Sequence, residues 1–260
     1  MKLFVSIVSH LHHSVLINLG TMKELAEHPG IEVICRDNIP TMPLPLACEK
    51  YGVHYVCNEA EYGFSANNNA NFQYCLDNLG MTPNDYFVVF NPDLYMLKKS
   101  INDLVSSVES LNRDFYVPNL LLDKEEFMFD DNIRTYPKFR NFLETYLFNK
   151  RSTMLNRESG LIDSKLCWAS GAFLILRARL YADAKGLDER YYLYCEDIDF
   201  CARLKKKNIY FHYLPHVKAT HLRRRDSKRF MSKYFWWHVS SVFKYSFGRK
   251  SFESKKSVLR

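Results

Sequence analysis

The sequence has no long uninterrupted run of apolar residues and no closely spaced pair of cysteines. None of its 260 residues lies in a stretch approaching the roughly 18 continuous apolar residues of a membrane-spanning helix. Its seven scattered cysteines form no Cys-x-x-Cys pair, which argues against a zinc site and a disulfide framework. Glycine and proline number nine each, which excludes collagen-like and low-complexity classes. The first apolar run, Leu3 to Val8, is too short for a signal peptide, so we expect a cytoplasmic protein.

The composition is that of a globular protein with unevenly distributed charge. Hydrophobic residues make up 47% and charged residues 25%, and the length suits one domain with or without an appendage. Residues 218–260 contain 13 Lys and Arg against 2 Asp and Glu, whereas the preceding 217 residues have a net charge of −4. A basic tail on a mildly acidic body predicts a polyanionic partner: nucleic acid, an anionic membrane surface or a diphosphate substrate.

Strands and helices alternate through about the first 120 residues. The predicted elements are strands over residues 2–8, 31–35, 53–57 and 86–90 and helices over residues 14–28, 65–79 and 101–111. This alternation favours a mostly parallel sheet covered by helices on both faces. Ligands bind such sheets outside the carboxyl ends of the strands, where Asp37 and Asp93 both occur.

The second half of the chain is less regular. Its predicted elements are strands over residues 115–121, 173–176 and 209–213 and helices over residues 139–148, 195–207 and 226–247. We expect a catalytic domain over residues 1–222 and a basic, aromatic helical tail over residues 223–260. Basic residues interleaved with Trp and Phe are typical of a helix at a membrane interface, although the same aromatic residues could dock the tail on the body.

Seven short segments, followed by a lone histidine, occur in an order that is typical of one enzyme family. They are Phe4–His10, Arg36–Asn38, Tyr62–Asn69, Asn91–Asp93, Trp168–Ala172, Gly186–Tyr191, Glu196–Asp199 and finally His221. With them the chain resembles the nucleotide-sugar-dependent glycosyltransferases of family 2, over roughly residues 3 to 245. The resemblance implies the inverting GT-A fold, an α/β mixed sheet flanked by helices. Within the family, the chain is most similar to the O-antigen rhamnosyltransferases of Gram-negative bacteria.

The acidic segment near the end of the catalytic part is the candidate for the chemistry. An acceptor hydroxyl must lose a proton as it attacks the anomeric carbon, and a nearby carboxylate can take that proton. The resemblance assigns this role to Asp197, with Glu196 and Asp199 orienting the acceptor sugar or capping the helix. Trp168 is expected either to stack on a sugar face or to pack in the core.

Six residues are predicted to contact the donor nucleotide or its sugar, and one of them, Asp93, is also the expected metal ligand. Asp37 is an acceptor-only carboxylate suited to the imide N–H that uracil and thymine share, although an Asx-turn is the structural alternative. Ser9 ends the opening strand of the family pattern. Asn68 and Asn69 lie at a predicted helix N-terminus, where they could contact the donor or act as caps. Gly171 would let a ligand approach the backbone closely.

The resemblance also implies a divalent cation, Mg²⁺ or Mn²⁺. Asp93 is the expected main ligand and His221 the second, because such cations take few carboxylates and rely on the phosphates of the substrate. The common Asp-x-Asp motif of the family has Asn91 at its first position here. Arg223 and Arg224 are expected to hold the diphosphate, or otherwise to form a solvated basic turn.

Together these expectations describe an inverting transferase at the cytoplasmic face of the inner membrane. The resemblance implies a dTDP-L-rhamnose donor and an acceptor sugar on polyprenyl diphosphate. The alternatives are a UDP-galactose or galactofuranose donor, a catalytically inactive scaffold, and a nucleic-acid-binding protein. The last is disfavoured because the positive charge is confined to the tail and no nucleic-acid-binding motif occurs. The oligomeric state is open, with a homodimer among the expected states.

Overall fold

The computed structural model describes residues 1–123, 128–155, 157, 162–223, 232–248 and 259. The strands are β1 (Leu3–Ser9), β2 (Ile31–Asp37), β3 (His54–Cys57), β4 (Tyr86–Phe90), β5 (Leu94–Tyr95), β6 (Phe115–Leu121), β7 (Ile133–Thr135), β8 (Cys167–Ala169), β9 (Phe173–Arg177) and β10 (His212–His221). The helices are α1 (His13–Leu19), α2 (Thr21–Ala26), α3 (Pro43–Tyr51), α4 (Phe64–Asn78), α5 (Lys98–Leu111), α6 (Phe139–Phe148), α7 (Ala178–Asp183), α8 (Glu196–Lys206) and α9 (Lys233–Phe247).

Eight of the strands form one sheet in the order β3-β2-β1-β4-β9-β6-β10-β5. The four strands β3, β2, β1 and β4 are parallel, and β10 is parallel to β6. β9 runs antiparallel to both β4 and β6, and β5 runs antiparallel to β10. Six of the eight strands therefore point the same way, so the predicted mostly parallel sheet is confirmed, and β9 and β5 are the antiparallel strands that the alternation did not reveal. The mixed sheet of the GT-A fold is confirmed.

The sheet is covered by helices on both faces, as predicted. One core lies beneath α1, α2, α3 and α5 and contains Met22, Leu44 and Val108. The other lies beneath α4, α7 and α8 and contains Phe72, Tyr181 and Phe200. Strands such as β4, which is buried over its whole length, are apolar on both sides because both sides face helices.

Three elements differ from the sequence-based prediction. The helix expected over residues 14–28 is two helices, because Gly20 adopts a left-handed conformation with φ of 71°. The helix α3 was not predicted, although Pro43 opens it at a position that favours proline. The strand expected over residues 209–213 is β10, which begins at His212, contains a register shift and continues to His221.

The last described helix, α9, packs against α6 through aromatic rings. The Phe139 ring lies 4.8 Å from Phe247 and 5.6 Å from Phe243, and the Tyr146 ring lies 5.8 Å from Phe235. The helix begins at Lys233, and residues 226–231 of the predicted helix lie outside the described residues. No helix among the described residues is long and apolar enough to span a membrane.

Candidate active site

Several strand ends meet at one edge of the sheet. Ser9 at the end of β1 lies beside Asp37 at the end of β2, and β4 ends on the other side of β1. Because β9 is antiparallel, it starts at this edge, where Asn91 donates a backbone hydrogen bond of 2.9 Å to Ala172. Neighbouring strands are about 4.8 Å apart, so β2, β1, β4 and the start of β9 span about 15 Å. This edge is the one at which the sequence predicted a ligand.

Asp37 is fully buried and uses only one of its carboxylate oxygens. Its Oδ2 accepts hydrogen bonds from the Thr41 N–H at 2.9 Å, the Thr41 hydroxyl at 3.1 Å and the Tyr55 hydroxyl at 3.3 Å. Its Oδ1 and the neighbouring Ser9 hydroxyl are buried and have no hydrogen-bond partner in the described part of the chain. A buried acceptor without a donor is costly, so both atoms are suited to a polar ligand.

Asn68 and Asn69 are buried inside the protein and do not line the edge as predicted. The Asn69 Oδ1 accepts from the Tyr181 hydroxyl at 2.7 Å and the Leu187 N–H at 3.0 Å, and its Nδ2 donates to the Leu187 carbonyl at 2.8 Å. Asn68 accepts from the Ser6 hydroxyl at 2.8 Å and donates to the Phe64 carbonyl at 3.0 Å. Both side chains are completely buried. Their amides hold α4 against the body, and the prediction of direct donor contact does not apply to them.

Replacing Asn69 with alanine should therefore destabilise the fold. The Asn69→Ala variant leaves the Tyr181 hydroxyl and both backbone groups of Leu187 unpaired, and we expect the free energy of unfolding to fall by about 3 kcal/mol. Urea denaturation measures this loss. The exposed Asn78→Ala variant of the same helix is the control and should change stability little. Loss of donor affinity without loss of stability would instead restore Asn69 to the binding site.

Asp93 and His221 face each other across the edge. The His221 Nε2 lies 3.4 Å from the Asp93 Oδ1, and its Nδ1 lies 2.7 Å from the Asp130 Oδ2. Burial lowers the pKa of a histidine, but the hydrogen bonds with Asp130 and Asp93 raise the pKa of His221 to about 9. Burial likewise opposes ionisation of Asp93, yet His221 holds the pKa of this carboxyl below its ordinary value. The pair thus concentrates opposite charges at the end of β10.

The arrangement fits a cation that takes few ligands from the protein, and such a cation would have to displace the proton that the raised pKa keeps on His221. Among the described residues, no group of three or more His, Cys, Asp or Glu side chains could hold a metal ion. Asp93 and His221 are two, and a substrate diphosphate would have to complete the coordination shell. Asp130 occupies the place of the carboxylate that usually orients a metal-binding histidine through its other ring nitrogen. The expected ligands are therefore adjacent, with Asp130 as an unpredicted positioning residue.

Arg223 is committed to carboxylates and not free for a diphosphate. Its Nε donates to the Asp130 Oδ2 at 2.9 Å, and its guanidinium also pairs with Asp131. It neutralises Asp130 and Asp131, and this pairing argues against the predicted diphosphate contact. Arg224 lies outside the described residues.

Asp197 lies in the first turn of α8 and is half-buried. Its side chain points to Gly171, which lies just before β9. Its Oδ2 accepts from the Gly171 N–H at 3.0 Å, and its Oδ1 accepts from the Ile198 N–H at 2.8 Å. Burial raises the pKa of Asp197, while these two N–H groups and the charge of Arg134 oppose the rise. A Cβ on Gly171 would lie 3.1 Å from the Phe64 ring, so this segment is tightly packed. The Gly171 N–H therefore fixes the carboxylate of the candidate base, Asp197, at the edge of the sheet.

The neighbours of Asp197 have different environments. Glu196 is buried with an unpartnered Oε2, and burial and the charge of Asp197 raise its pKa well above the ordinary value. Asp199 points to Arg203, whose Nε donates to it at 2.8 Å, and Arg203 in turn binds the backbone carbonyls of Ala184 and Gly186. Asp199 therefore anchors the helix to the preceding loop, and its predicted contact with the acceptor sugar is not supported.

Trp168 is a core residue, which was the alternative prediction for it. It is 4% exposed, and its indole N–H donates to the Thr135 carbonyl at 3.0 Å. The guanidinium of Arg134, on the neighbouring strand, stacks over its ring at 4.9 Å. Arg134 is close enough to Asp197 and Asp130 to interact with both charges. The sequence analysis missed Arg134 and Asp130, since both lie in the irregular region after β6.

The site thus has two buried polar atoms without a partner, on Ser9 and Asp37, an Asp93–His221 pair and the half-buried carboxylate of Asp197 at one edge of a mixed sheet. Together, fold and site define a glycosyltransferase of the GT-A type. The sequence of residues 12–169 matches the model of the family described as Glycosyl transferase family 2. The match spans more than half of the chain, which therefore belongs to glycosyl transferase family 2.

Two curated relatives transfer rhamnose according to their names. The chain is 31% identical over 244 residues to Rhamnosyltransferase WbbL of Escherichia coli (strain K12), which covers 93% of this chain and 91% of that protein. It is 26% identical over 165 residues to the N-acetylglucosaminyl-diphospho-decaprenol L-rhamnosyltransferase of Mycobacterium tuberculosis (strain ATCC 25618 / H37Rv), which covers 61% of this chain and 54% of that protein. The chain is a family 2 glycosyltransferase with rhamnosyltransferase homologues.

Solved structures share the fold at low sequence identity. The chain matches S. aureus TarS 1-349 in complex with UDP-GlcNAc with a TM-score of 0.58 and 14% identity, over 91% of this chain and 64% of that one. It matches the mannosyltransferase PcManGT of Pyrobaculum calidifontis, in complex with GDP-Man and Mn²⁺, with a TM-score of 0.58 and 10% identity, over 94% of this chain and 64% of that one. The chain spans less than two thirds of each of these solved chains.

Proposed function

We propose that the protein is an inverting rhamnosyltransferase that uses dTDP-L-rhamnose and a lipid-linked saccharide acceptor. One observation carries the proposal: Asp37 at the end of β2, Asp93 just after the end of β4, and Asp197, which is bound to Gly171 just before β9, share one edge of the sheet. The names of two relatives support rhamnose as the transferred sugar, and the name of one supports a polyprenyl-diphosphate acceptor.

In the proposed reaction, Asp197 takes the proton of the acceptor hydroxyl. The freed oxygen attacks the anomeric carbon from the face opposite the diphosphate, the bond to the diphosphate oxygen breaks, and the anomeric configuration inverts. Gly171 and Ile198 hold the carboxylate by their N–H groups, so it does not need to reorganise during the reaction. The raised pKa of Asp197 makes it a stronger base than an exposed aspartate.

Asp93 and His221 would hold Mg²⁺ or Mn²⁺, which when bound supplies positive charge to the departing diphosphate. Asp130 keeps the His221 ring oriented by accepting from Nδ1, and Arg223 balances the charge of Asp130 from the other side. Asp93 would supply negative charge to the cation, and its Oδ1 lies 3.4 Å from the His221 Nε2 in the structure.

The donor base is proposed to bind the free oxygen of Asp37. Thymine and uracil both present an imide N–H, so this contact suits a UDP-hexose donor as well as dTDP-L-rhamnose. UDP-galactose or a galactofuranose donor therefore remains the second candidate. A panel of nucleotide sugars, incubated with Mg²⁺ or Mn²⁺ and lipid-linked acceptors and analysed by product mass, tests the proposal. Transfer of a hexose but not of rhamnose would select the second candidate.

Asp37→Asn should weaken nucleotide binding. The charged acceptor contributes about 1.5–3 kcal/mol to a hydrogen bond, so we expect the Kd for dTDP to rise by roughly 10- to 100-fold. Calorimetry with dTDP and with N3-methyl-dTDP measures the contact directly. The wild type should bind dTDP more tightly than the methylated analogue, and the variant should bind both equally. Retained discrimination in the variant would show that another group reads the imide.

A further inference from the structure

The helices α6 and α9 lie side by side in opposite directions and expose apolar residues to solvent. The start of α6 contacts the end of α9, since the Phe139 ring packs on Phe247, whereas the Tyr146 ring packs near His238 at 5.4 Å. The outward side chains, called the two-helix platform here, are Leu143, Leu147, Phe148, Trp236, Phe243 and Phe247. Each of the six is exposed by at least 43%.

The exposed residues form a stripe on each helix. Leu143 and Leu147 are four residues apart on α6, and Trp236, Phe243 and Phe247 are separated by seven and four residues on α9. Such spacings place side chains on the same helix face. The opposite face of α9 is anchored, because Val242 is buried and the Ser241 hydroxyl donates to the Leu193 carbonyl at 2.8 Å. The outward stripes are therefore a fixed part of the folded protein.

The charges around the platform favour an anionic partner. The helix α9 contains no acidic residue, and the single acidic residue of α6, Glu144, pairs with Arg140 at 2.8 Å. In sequence, the nine residues before α9 from 224 to 232 include four basic and one acidic, and residues 249–260 include five basic and one acidic. A second copy of this chain would bring like charges together, whereas a phospholipid surface offers both negative charge and an apolar layer.

The platform is also joined to the catalytic region. The Tyr192 ring stacks on Trp237 with centroids 4.4 Å apart, and the Tyr192 hydroxyl donates to Glu61 at 2.8 Å. The Lys244 Nζ donates to the Arg190 carbonyl at 2.7 Å. Arg190 and Tyr192 belong to the loop that leads into α8 and Asp197. A surface bound to the platform would thus be held at a fixed position relative to the candidate base.

We propose that the outward face of α6 and α9 together is the surface by which the protein lies on an anionic phospholipid membrane. The apolar stripes insert at the level of the lipid head groups, and the basic residues that flank α9 in the sequence favour anionic lipid over neutral lipid. The membrane contact is not confined to the basic tail, since α6 supplies three of the six exposed apolar side chains. The inference rests on the proposed function in one respect: membrane binding would give the enzyme access to a lipid-linked acceptor.

Co-sedimentation with vesicles of phosphatidylethanolamine and about one quarter phosphatidylglycerol tests the inference on the full chain. Leu147→Glu places a charge in the middle of the platform on a side chain that is 70% exposed, so the fold should survive. The matched control is Leu46→Glu on α3, where the leucine is 65% exposed. We expect Leu147→Glu to weaken vesicle binding by about tenfold or more, Leu46→Glu to leave it unchanged, and Leu147→Trp to retain it.

Three results would overturn the inference. The first is equal vesicle binding by Leu147→Glu and the wild type. The second is wild-type binding to purely zwitterionic vesicles that is as strong as binding to anionic ones. The third is a concentration-dependent dimer in sedimentation equilibrium that Leu147→Glu abolishes. The last would identify the platform as a contact between two copies. Vesicle binding needs no substrate, and turnover is measured separately on a water-soluble acceptor analogue without vesicles. Inactivity there refutes the proposed function while leaving the vesicle result intact.

Discussion

Asp197→Asn is expected to abolish sugar transfer while leaving donor binding intact. The amide keeps the shape of the side chain but cannot take a proton from the acceptor hydroxyl, so kcat should fall by about 10²- to 10⁴-fold. Donor affinity measured by calorimetry should stay within a factor of about two, because the side chain meets the acceptor and not the nucleotide. Because burial raises the pKa of Asp197, the wild-type kcat should decline toward acid at a pH above the ordinary aspartate range.

Asp199→Asn is the matched control, two residues further along the same helix. Its carboxylate pairs with Arg203, so the expected effect is a loss of roughly 2 kcal/mol in stability with kcat largely retained. Thermal unfolding and single-turnover kinetics on both variants separate the two roles. If Asp197→Asn loses donor binding or stability as strongly as activity, Asp197 supports the structure and another group is the base.

The positions of the acidic residues along the sheet edge could be predicted, because they depend on local sequence. The apolar strands ending at Asp37 and before Asp93 are short and bounded by polar residues, and the parallel arrangement brings such ends together. The bounds of β4 and β6 match the predicted residues. The antiparallel direction of β9 could not be predicted, because a strand carries no mark of its direction in its apolar pattern.

Roles that depend on tertiary partners were not predictable. Asn69 lies near the start of a predicted helix, where an amide could contact a ligand. In the structure its amide oxygen accepts hydrogen bonds from Tyr181 and Leu187, which lie more than 100 residues away in the sequence. Asp199 and Arg223 looked available for substrate and instead pair with Arg203 and Asp130. In each case a distant side chain satisfies the polar group, and one sequence does not reveal which distant residues meet.

Asp93→Asn is expected to remove the dependence of donor binding on a divalent cation. The wild type should bind dTDP about tenfold or more weakly in excess EDTA than with Mn²⁺, since the diphosphate then loses its counter-charge. The variant should bind dTDP weakly under both conditions, because the neutral amide gives the cation no charge next to His221. Binding of Mn²⁺ itself, followed by electron paramagnetic resonance in the presence of dTDP, gives a readout that does not require turnover.

Asp85→Asn provides the comparison at the opposite end of the same strand. Asp85 precedes β4 and accepts hydrogen bonds from Thr82 and from the Lys2 N–H at 2.8 Å, so its loss should lower stability and leave the response to Mn²⁺ unchanged. His221→Ala should resemble Asp93→Asn, since the two side chains would share the cation. If the wild type binds dTDP equally well in excess EDTA and with Mn²⁺, the cation site is contradicted. The role of Asp93 would then be to pair with His221 and so fix the end of β10 beside the donor.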